Sequence, residues 1–442
     1  MGSREVWNKR FRLALIGSLT FFALMIPISI FMLPVGAIMI LVTLIGKKLT
    51  DKRFVIVVPP FTWVLLTFLL VAVASLIFSP YPTPPEAWAG LKKLRFFGYY
   101  FLVFYGLYEG REIRLPIIGF LFGCTFAAIL AWAQYWLGDV SIVTLFNPDI
   151  MESPFVEGRY RAIGFMSHHR RFAMVIALAI PIVASLLIHL RQGWGFRLLY
   201  IFLLALFGGA LIWTNGRGVM LAIIFSTIFT LLLRSWKLAL KVVAGMFIVG
   251  VILAFTIPKD IFWLTPRFFF SITDGVLNTS IEAQLENPLV KSSNDIRVVL
   301  WKAGVESFLR HPVLGIGWRQ FKHEREKIDA AIIGADKYPH LHPHSESLWI
   351  AVELGIVGLF VFAFFWGSLL LRMGRAYRHR EGLTQIVKAL LFTGVWSALF
   401  WLFSGLTDVS LLNSENAAAL WFVIGLSSYA LFMKKSPQEV AL

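Results

Sequence analysis

Long apolar runs recur along almost all of this chain, and they leave it very little choice of fold. A helix needs ~20 mostly apolar residues to cross the hydrocarbon core of a bilayer. Inside lipid every backbone amide must be satisfied within the segment, so such runs become helices. A closed barrel would instead show short alternating segments, and none are seen. The runs fall near 12–30, 31–46, 59–78, 94–109, 115–137, 172–190, 197–213, 218–234, 237–256, 346–371, 386–404 and 414–433. The expectation is an all-α polytopic membrane protein with about twelve transmembrane helices. Its expected parts are 1–256 with the first nine spans, a large polar loop at 257–345, and 346–442 with the last three. The first run is expected to be retained, because no small-residue cleavage site comes after it and Pro34 leads into more apolar chain.

Orientation follows from lysines and arginines near the span ends. Arg4, Lys9, Arg10 and Arg12 precede the first run, and Lys47, Lys48, Lys52 and Arg53 follow the second. Later connections on the same side hold Arg111 and Arg114, Arg191 and Arg197, Arg234, Lys237 and Lys241, Arg372 to Arg380, and Lys434 and Lys435. Both termini are therefore expected in the cytoplasm and the 257–345 loop on the opposite face. Part of the net charge of +16 is this topogenic bias. No solvated basic domain with interleaved aromatics points to nucleic acid. The single cysteine, Cys124, sits within an apolar run and reads as packing.

Against that background the informative residues are polar groups on the outer side. His340, His342 and His344 fall where the polar loop meets an apolar run, and titratable groups at such a junction point to a functional site. Pro343 disfavours helix at His342 and suits the first turn of the next helix. His344 is therefore expected to open the span, where the positive helix end suits an imidazole that accepts a proton. His342 is expected to orient neighbours, and His340 to be an exposed loop residue. Zinc sites usually add cysteine or carboxylate and a partner that orients the ligands, nothing nearby in sequence supplies a clear set, and no Asp-x-Asp pair on the outer side would hold magnesium, so no metal is expected.

Several outer arginines run against the positive-inside bias. Arg217 stands at a span mouth between glycines, and Arg297 falls in the first turn of a helix in the polar loop, whose stripe is Ile296, Val299, Leu300 and Ala303. Arginine forks match phosphate oxygens, and a helix N-terminus favours an anion. Arg159, Arg170, Arg171, Arg267 and Arg310 read instead as paired or snorkelling residues. Glu353 is an acid inside a span and is expected to face the bundle.

Taken in order, these stretches resemble the O-antigen ligase family of bacterial membrane glycosyltransferases, which also holds O-antigen polymerases. The likeness rests on His344-Ser345 with Glu353-Leu354-Gly355 and Gly358, on Arg217-Gly218, on Arg297…Trp301…Pro312…Gly315-Ile316-Gly317, and on Arg161…Gly164…His168…Phe172-Ala173. His169-Arg170 stand where the family commonly has Pro-Asn. The resemblance implies transfer of O-antigen polysaccharide from undecaprenyl diphosphate to lipid A–core oligosaccharide, at the periplasmic face of the bacterial inner membrane. It implies inversion at the anomeric carbon and neither metal nor cofactor. Arg217 and Arg297, followed by Arg161 and Arg319, would hold the diphosphate. His344 would activate the acceptor, with His342, His168 and Glu353 in support. A polymerase of the same family is the alternative reading, and a lipid-linked sugar flippase the one from another class. A flippase should carry charges along several spans, whereas these runs are clean apart from Glu353.

Overall fold

The computed structural model describes residues 3–51, 56–83, 85–137, 155–156, 159–256, 293–324 and 342–433. Every expected apolar run in this range is helical. The N-terminal part contains α1 (Ser3–Met25), α2 (Met32–Thr50), α3 (Thr62–Ile77), the short α4 (Pro85–Ala89), a 3-10 turn (Gly90–Phe96), α5 (Phe97–Gly110) and α6 (Arg114–Leu137). The middle part contains α7 (His169–His189), α8 (Trp194–Trp213), α9 (Arg217–Arg234), α10 (Trp236–Thr256) and α11 (Ser293–Arg310). The last three are α12 (Glu346–His379), α13 (Gln385–Gly405) and α14 (Ser414–Phe432). Eight of the described helices, α2, α6 to α9 and α12 to α14, are long and apolar enough to cross a membrane. Within the expected 257–345 loop, the structure describes α11 and the turn after it, while His340 and Arg267 lie outside the described residues.

Burial sorts the helices. α7, α13 and α14 are 78%, 78% and 83% buried over their apolar windows, against 22% for α8, so the first three form the centre and α8 belongs to the rim. Clean apolar helices stay together in lipid through close side-chain packing rather than water exclusion. The centre shows such packing, with Phe97, Tyr100 and Phe365 all in edge contact with the Trp421 ring.

The expected continuous span at 346–371 is not continuous. Gly355 sits at φ 66°, ψ −165°, and splits α12 into a short upper piece and a long lower one. The break frees backbone groups that intrahelical bonds would otherwise use, and the Pro312–Gly317 turn takes them up. Ile316 and Gly317 amides donate to the Val352 and Glu353 carbonyls at 2.9 and 3.1 Å, while Ile356 and Val357 amides donate to Pro312 and Val313 carbonyls at 2.7 and 3.3 Å. Glu353 adds a side-chain tie, its Oε2 accepting from the Arg319 amide at 2.6 Å. Irregular backbone is tolerated at membrane depth when protein satisfies it in this way.

Candidate active site

At the end of the bundle where α7, α9 and α12 begin, a cavity of about 280 Å³ opens among four arginines, Arg161, Arg170, Arg217 and Arg297, with Asp408 as its carboxylate. The segment carrying Arg161 is held by the Gln134 amide of α6. Its Oε1 accepts from the Ile163 and Gly164 amides at 3.1 and 2.9 Å, and its Nε2 donates to the Gly164 carbonyl at 2.8 Å. Arg161 Nη1 lies 3.3 Å from His169 Nε2. Arg217 is delivered by the turn Asn215–Gly216, in which Asn215 adopts φ 59°. Gly218 lets the head of α9 close on the α13–α14 connection, because a Cβ there would stand 2.5 Å from Thr407 Oγ1. That glycine therefore serves close packing between segments, and it also lines the cavity.

Arg297 reaches the cavity from the first turn of α11. This helix lies on the upper piece of α12, where a Cβ at Gly304 would be 3.0 Å from Leu348. Leu300 and Ala303 of the expected stripe are buried. Burial weakens the Arg297 guanidinium's hold on its proton and Arg170 acts the same way, while Asp408 opposes both.

The histidines differ from expectation in one respect. His344 does not open the helix. Ser345 is the N-cap, its hydroxyl accepting from the Leu348 amide, and α12 starts at Glu346. Serine is the better cap, and His344 lies ahead of it at φ 48°. His342 fixes that conformation, its Nδ1 accepting from the His344 amide at 3.2 Å. Burial first, then His344 and the cations Arg170 and Arg297, push the His342 pKa down to about 4, against the pull of Asp408. A neutral His342 is the form that can accept this bond.

Asp408, on the α13–α14 connection, is the residue that sequence reasoning missed. Its Oδ1 lies 3.5 Å from His344 Nδ1, and its Oδ2 3.7 Å from Arg170 Nη1. Burial alone would raise its pKa, but His344, Arg170 and His342 together hold it well below the usual carboxylate range. Glu346 explains its placement. That buried carboxylate accepts from Trp401 Nε1 at 2.7 Å and from the Ser410 and Leu411 amides at 3.3 and 2.8 Å, tying the Asp408 loop to the helix just after His344. A weak signal was available in sequence, since Asp408 is an acid on the same side between two spans.

The other expected residues divide. His168 caps α7, its Nδ1 accepting from the Arg170 amide at 3.1 Å. Burial first, then the charges of Arg170, Arg171 and Arg161, lower its pKa to about 4 against Asp408. Arg170, read from sequence as a paired residue, does pair with Asp408 but also lines the cavity. Arg171 pairs with Glu415 at 3.3 Å and Arg310 pairs with Glu324. Arg319 does not line the cavity, and Glu353 acts on its backbone. Among the described residues, the buried Asn215 Oδ1 and His169 Nδ1, both on residues that line the cavity, have no hydrogen-bond partner.

His342, His344 and Asp408 each offer one ligand atom within 4.8 Å of the others. The carboxylate of this trio comes from the distant α13–α14 connection rather than from the neighbouring Glu346. Two features count against an ion there. His342 Nδ1 is occupied by the His344 amide, and the charges of Arg170 and Arg297 reach the same point. The balance of charge favours an anion.

The described helices, eight of them long and apolar enough to cross a membrane, thus carry at one end a cationic cavity with a histidine–carboxylate pair beside it, the arrangement of a membrane protein with a polar site at the end of its bundle. Residues 202–363 match the O-antigen ligase family model, so that stretch is similar to the domain of this family. Arg217, Arg297, Arg319, His342, His344 and Glu353 fall inside the matched segment, and Arg161, Arg170 and Asp408 outside it. No curated protein matches the chain significantly.

Proposed function

We propose that the chain moves O-antigen polysaccharide from undecaprenyl diphosphate to the lipid A–core oligosaccharide, with inversion and with arginines carrying the diphosphate charge. The observation that supports this most is the convergence of Arg161, Arg170, Arg217 and Arg297 on one cavity beside His344 and Asp408. Preorganised cations at a leaving group are a large source of rate acceleration in a site shielded from water. The arginines hold the diphosphate, and the acceptor hydroxyl attacks the anomeric carbon from the opposite face. His344 Nε2 takes the hydroxyl proton as the new carbon–oxygen bond forms. The bond to the diphosphate breaks, and undecaprenyl diphosphate leaves with the electron pair. Asp408, 3.5 Å from Nδ1, orients the ring from that side and leaves Nε2 to act as base.

In this reading the site end faces the periplasm and both termini face the cytoplasm of a bacterial inner membrane, as the lysine and arginine distribution argues. Deleting the gene and resolving lipopolysaccharide on gels tests the proposal. Core-only lipopolysaccharide with accumulating lipid-linked polymer is the expected result. Core capped by a single repeat would identify a polymerase instead, and an unchanged pattern would overturn both.

A further inference from the structure

His169 opens α7 and lines the arginine cavity. With Arg170 it replaces the Pro-Asn that the family commonly has there, and the transfer reading gives it no task. The residue is only 3% exposed. Its Nε2 lies 3.3 Å from Arg161 Nη1. A guanidinium only donates, so Nε2 is the acceptor and the ring proton sits on Nδ1. That N–H has no partner among the described residues. The ring is held where it is, because the His168 ring packs on it with centroids 4.1 Å apart, and His168 is itself fixed by the Arg170 amide.

Asn215 comes to the same wall from the end of α8. Its turn rests on the start of α7 at Gly216, where a Cβ would stand 3.2 Å from Ala173 Cβ, and Ala173 lies one helical turn beyond His169 on the same face. The other polar groups of this turn are engaged. Thr214 Oγ1 donates to the Leu211 carbonyl at 2.6 Å and accepts from the Gly216 amide at 3.1 Å. The Asn215 amide donates to the Ile212 carbonyl, and its carbonyl accepts from the Arg217 amide, both at 3.1 Å. What remains is the buried Asn215 Oδ1, which has no partner among the described residues.

The wall thus adds a neutral donor and a neutral acceptor to its four arginines. Diphosphate oxygens only accept, so they suit the arginines and leave Asn215 Oδ1 unmet. The hydroxyls of the wall do not meet it either, since Ser404 donates to the Met174 sulfur at 3.0 Å and Thr407 to the Ser404 carbonyl at 3.2 Å. Buried polar groups are costly without partners, and one ligand group that serves both residues must accept from His169 and donate to Asn215. A sugar hydroxyl does this, and so does an acylamino group. On a sugar bonded to a diphosphate, the substituent nearest the phosphate is the one beside the anomeric carbon. We infer that His169 and Asn215 hold that substituent of the donor sugar, His169 Nδ1 donating to it and Asn215 Oδ1 accepting from it. This rests on the transfer reading above, and it adds what arginines alone do not supply: selection among donors that share one diphosphate.

The test is binding to the purified full chain in detergent, with bare undecaprenyl diphosphate and its glucose, N-acetylglucosamine and 2-deoxyglucose conjugates as probes. The better of the glucose and N-acetylglucosamine conjugates should bind about fivefold to a hundredfold more tightly than the 2-deoxyglucose one, which leaves both buried groups unpaired. Which of the two binds better separates a hydroxyl site from an acylamino site. Asn215→Gly keeps the left-handed backbone without steric cost, and His169→Phe keeps a ring without its N–H. Each should erase most of that difference and leave the bare lipid bound as before. Arg217→Ala should weaken all four probes alike. Equal binding of the three conjugates by the wild type would overturn the inference, as would wild-type discrimination in both variants. Loss of the bare lipid in Asn215→Gly would also overturn it, by assigning the pair to the diphosphate. If no probe binds the wild type, the transfer reading itself falls; if all bind alike, only this inference does.

Discussion

Replacing Gly355 with alanine should undo the join on which the upper half of the site depends. The residue sits at φ 66°, ψ −165°, a region essentially reserved for glycine. An added Cβ would stand 2.6 Å from the Leu314 amide nitrogen and closer still to the Val313 carbonyl. Both neighbours are backbone, so relief requires the Pro312–Gly317 turn to withdraw from α12. Withdrawal breaks the four interlocking backbone bonds made by Ile316, Gly317, Ile356 and Val357, each worth about 0.5–1.5 kcal/mol net. Backbone strain of about 1–3 kcal/mol is the alternative if the turn stays. The clash with Val313 and Leu314 backbone closes that alternative, so the four lost bonds set the loss at about 2–6 kcal/mol, enough to lower thermal stability measurably. The turn also carries Arg319 and follows α11, so transfer should fall as well. Thermal unfolding in detergent and a transfer assay with lipid-linked donor would read both effects. Gly367→Ala on the same helix is the control, because nothing lies within 4 Å of its added Cβ; it should be neutral. A Gly355→Ala protein with wild-type melting and activity would refute the account of the broken helix.

The site and the topology fix four further outcomes. Arg217→Ala and Arg297→Ala should each abolish transfer at equal expression, with lysine giving partial rescue at best because it loses the bidentate fork; wild-type turnover in either removes that residue from the mechanism. His344→Ala should lose about 10²–10⁴-fold in rate and Asp408→Asn less, with His342→Ala milder than His344→Ala and EDTA without effect; zinc-restored activity after chelation would turn the cluster into a metal site. His342 and His168 have pKa values lowered to about 4 in the folded chain from about 6.5 unfolded. The unfolded state therefore binds more protons between these values, and stability should be full above about pH 6.5 and decline as the pH falls toward 4; a flat melting temperature across that window would contradict the acceptor roles given to both neutral rings. Single cysteines at Lys302 and Arg378, after replacement of Cys124, should react with an impermeant thiol reagent in intact spheroplasts at 302 only, and the opposite pattern would invert the topology.

The helices were legible in the sequence because lipid gives the backbone no other partner. Apolar length alone therefore located each run to within a few residues at most ends, the start of α1 being the main exception. The exception within a span was Gly355. Its break depends on a turn some forty residues earlier in the chain, and no periodicity in α12 records that partner. Arg217 and Arg297 were legible as outer arginines at segment starts and Arg161 through the family resemblance, and the structure brings all three to one cavity.

What tertiary packing alone decided is which other groups join them. Asp408 faces His344 because the Glu346 carboxylate holds the α13–α14 connection by its amides and by Trp401. Arg319 lies apart from the cavity because Glu353 and the glycine-rich turn carry it across Gly90. A sequence states which side of the bilayer a charge will occupy, since that is set by the span in which it sits. Which charges then stand within a few ångströms of one another is set by the angles at which helices cross and by loops tied to distant backbone. Those are properties of the packed bundle, and only the three-dimensional structure contains them.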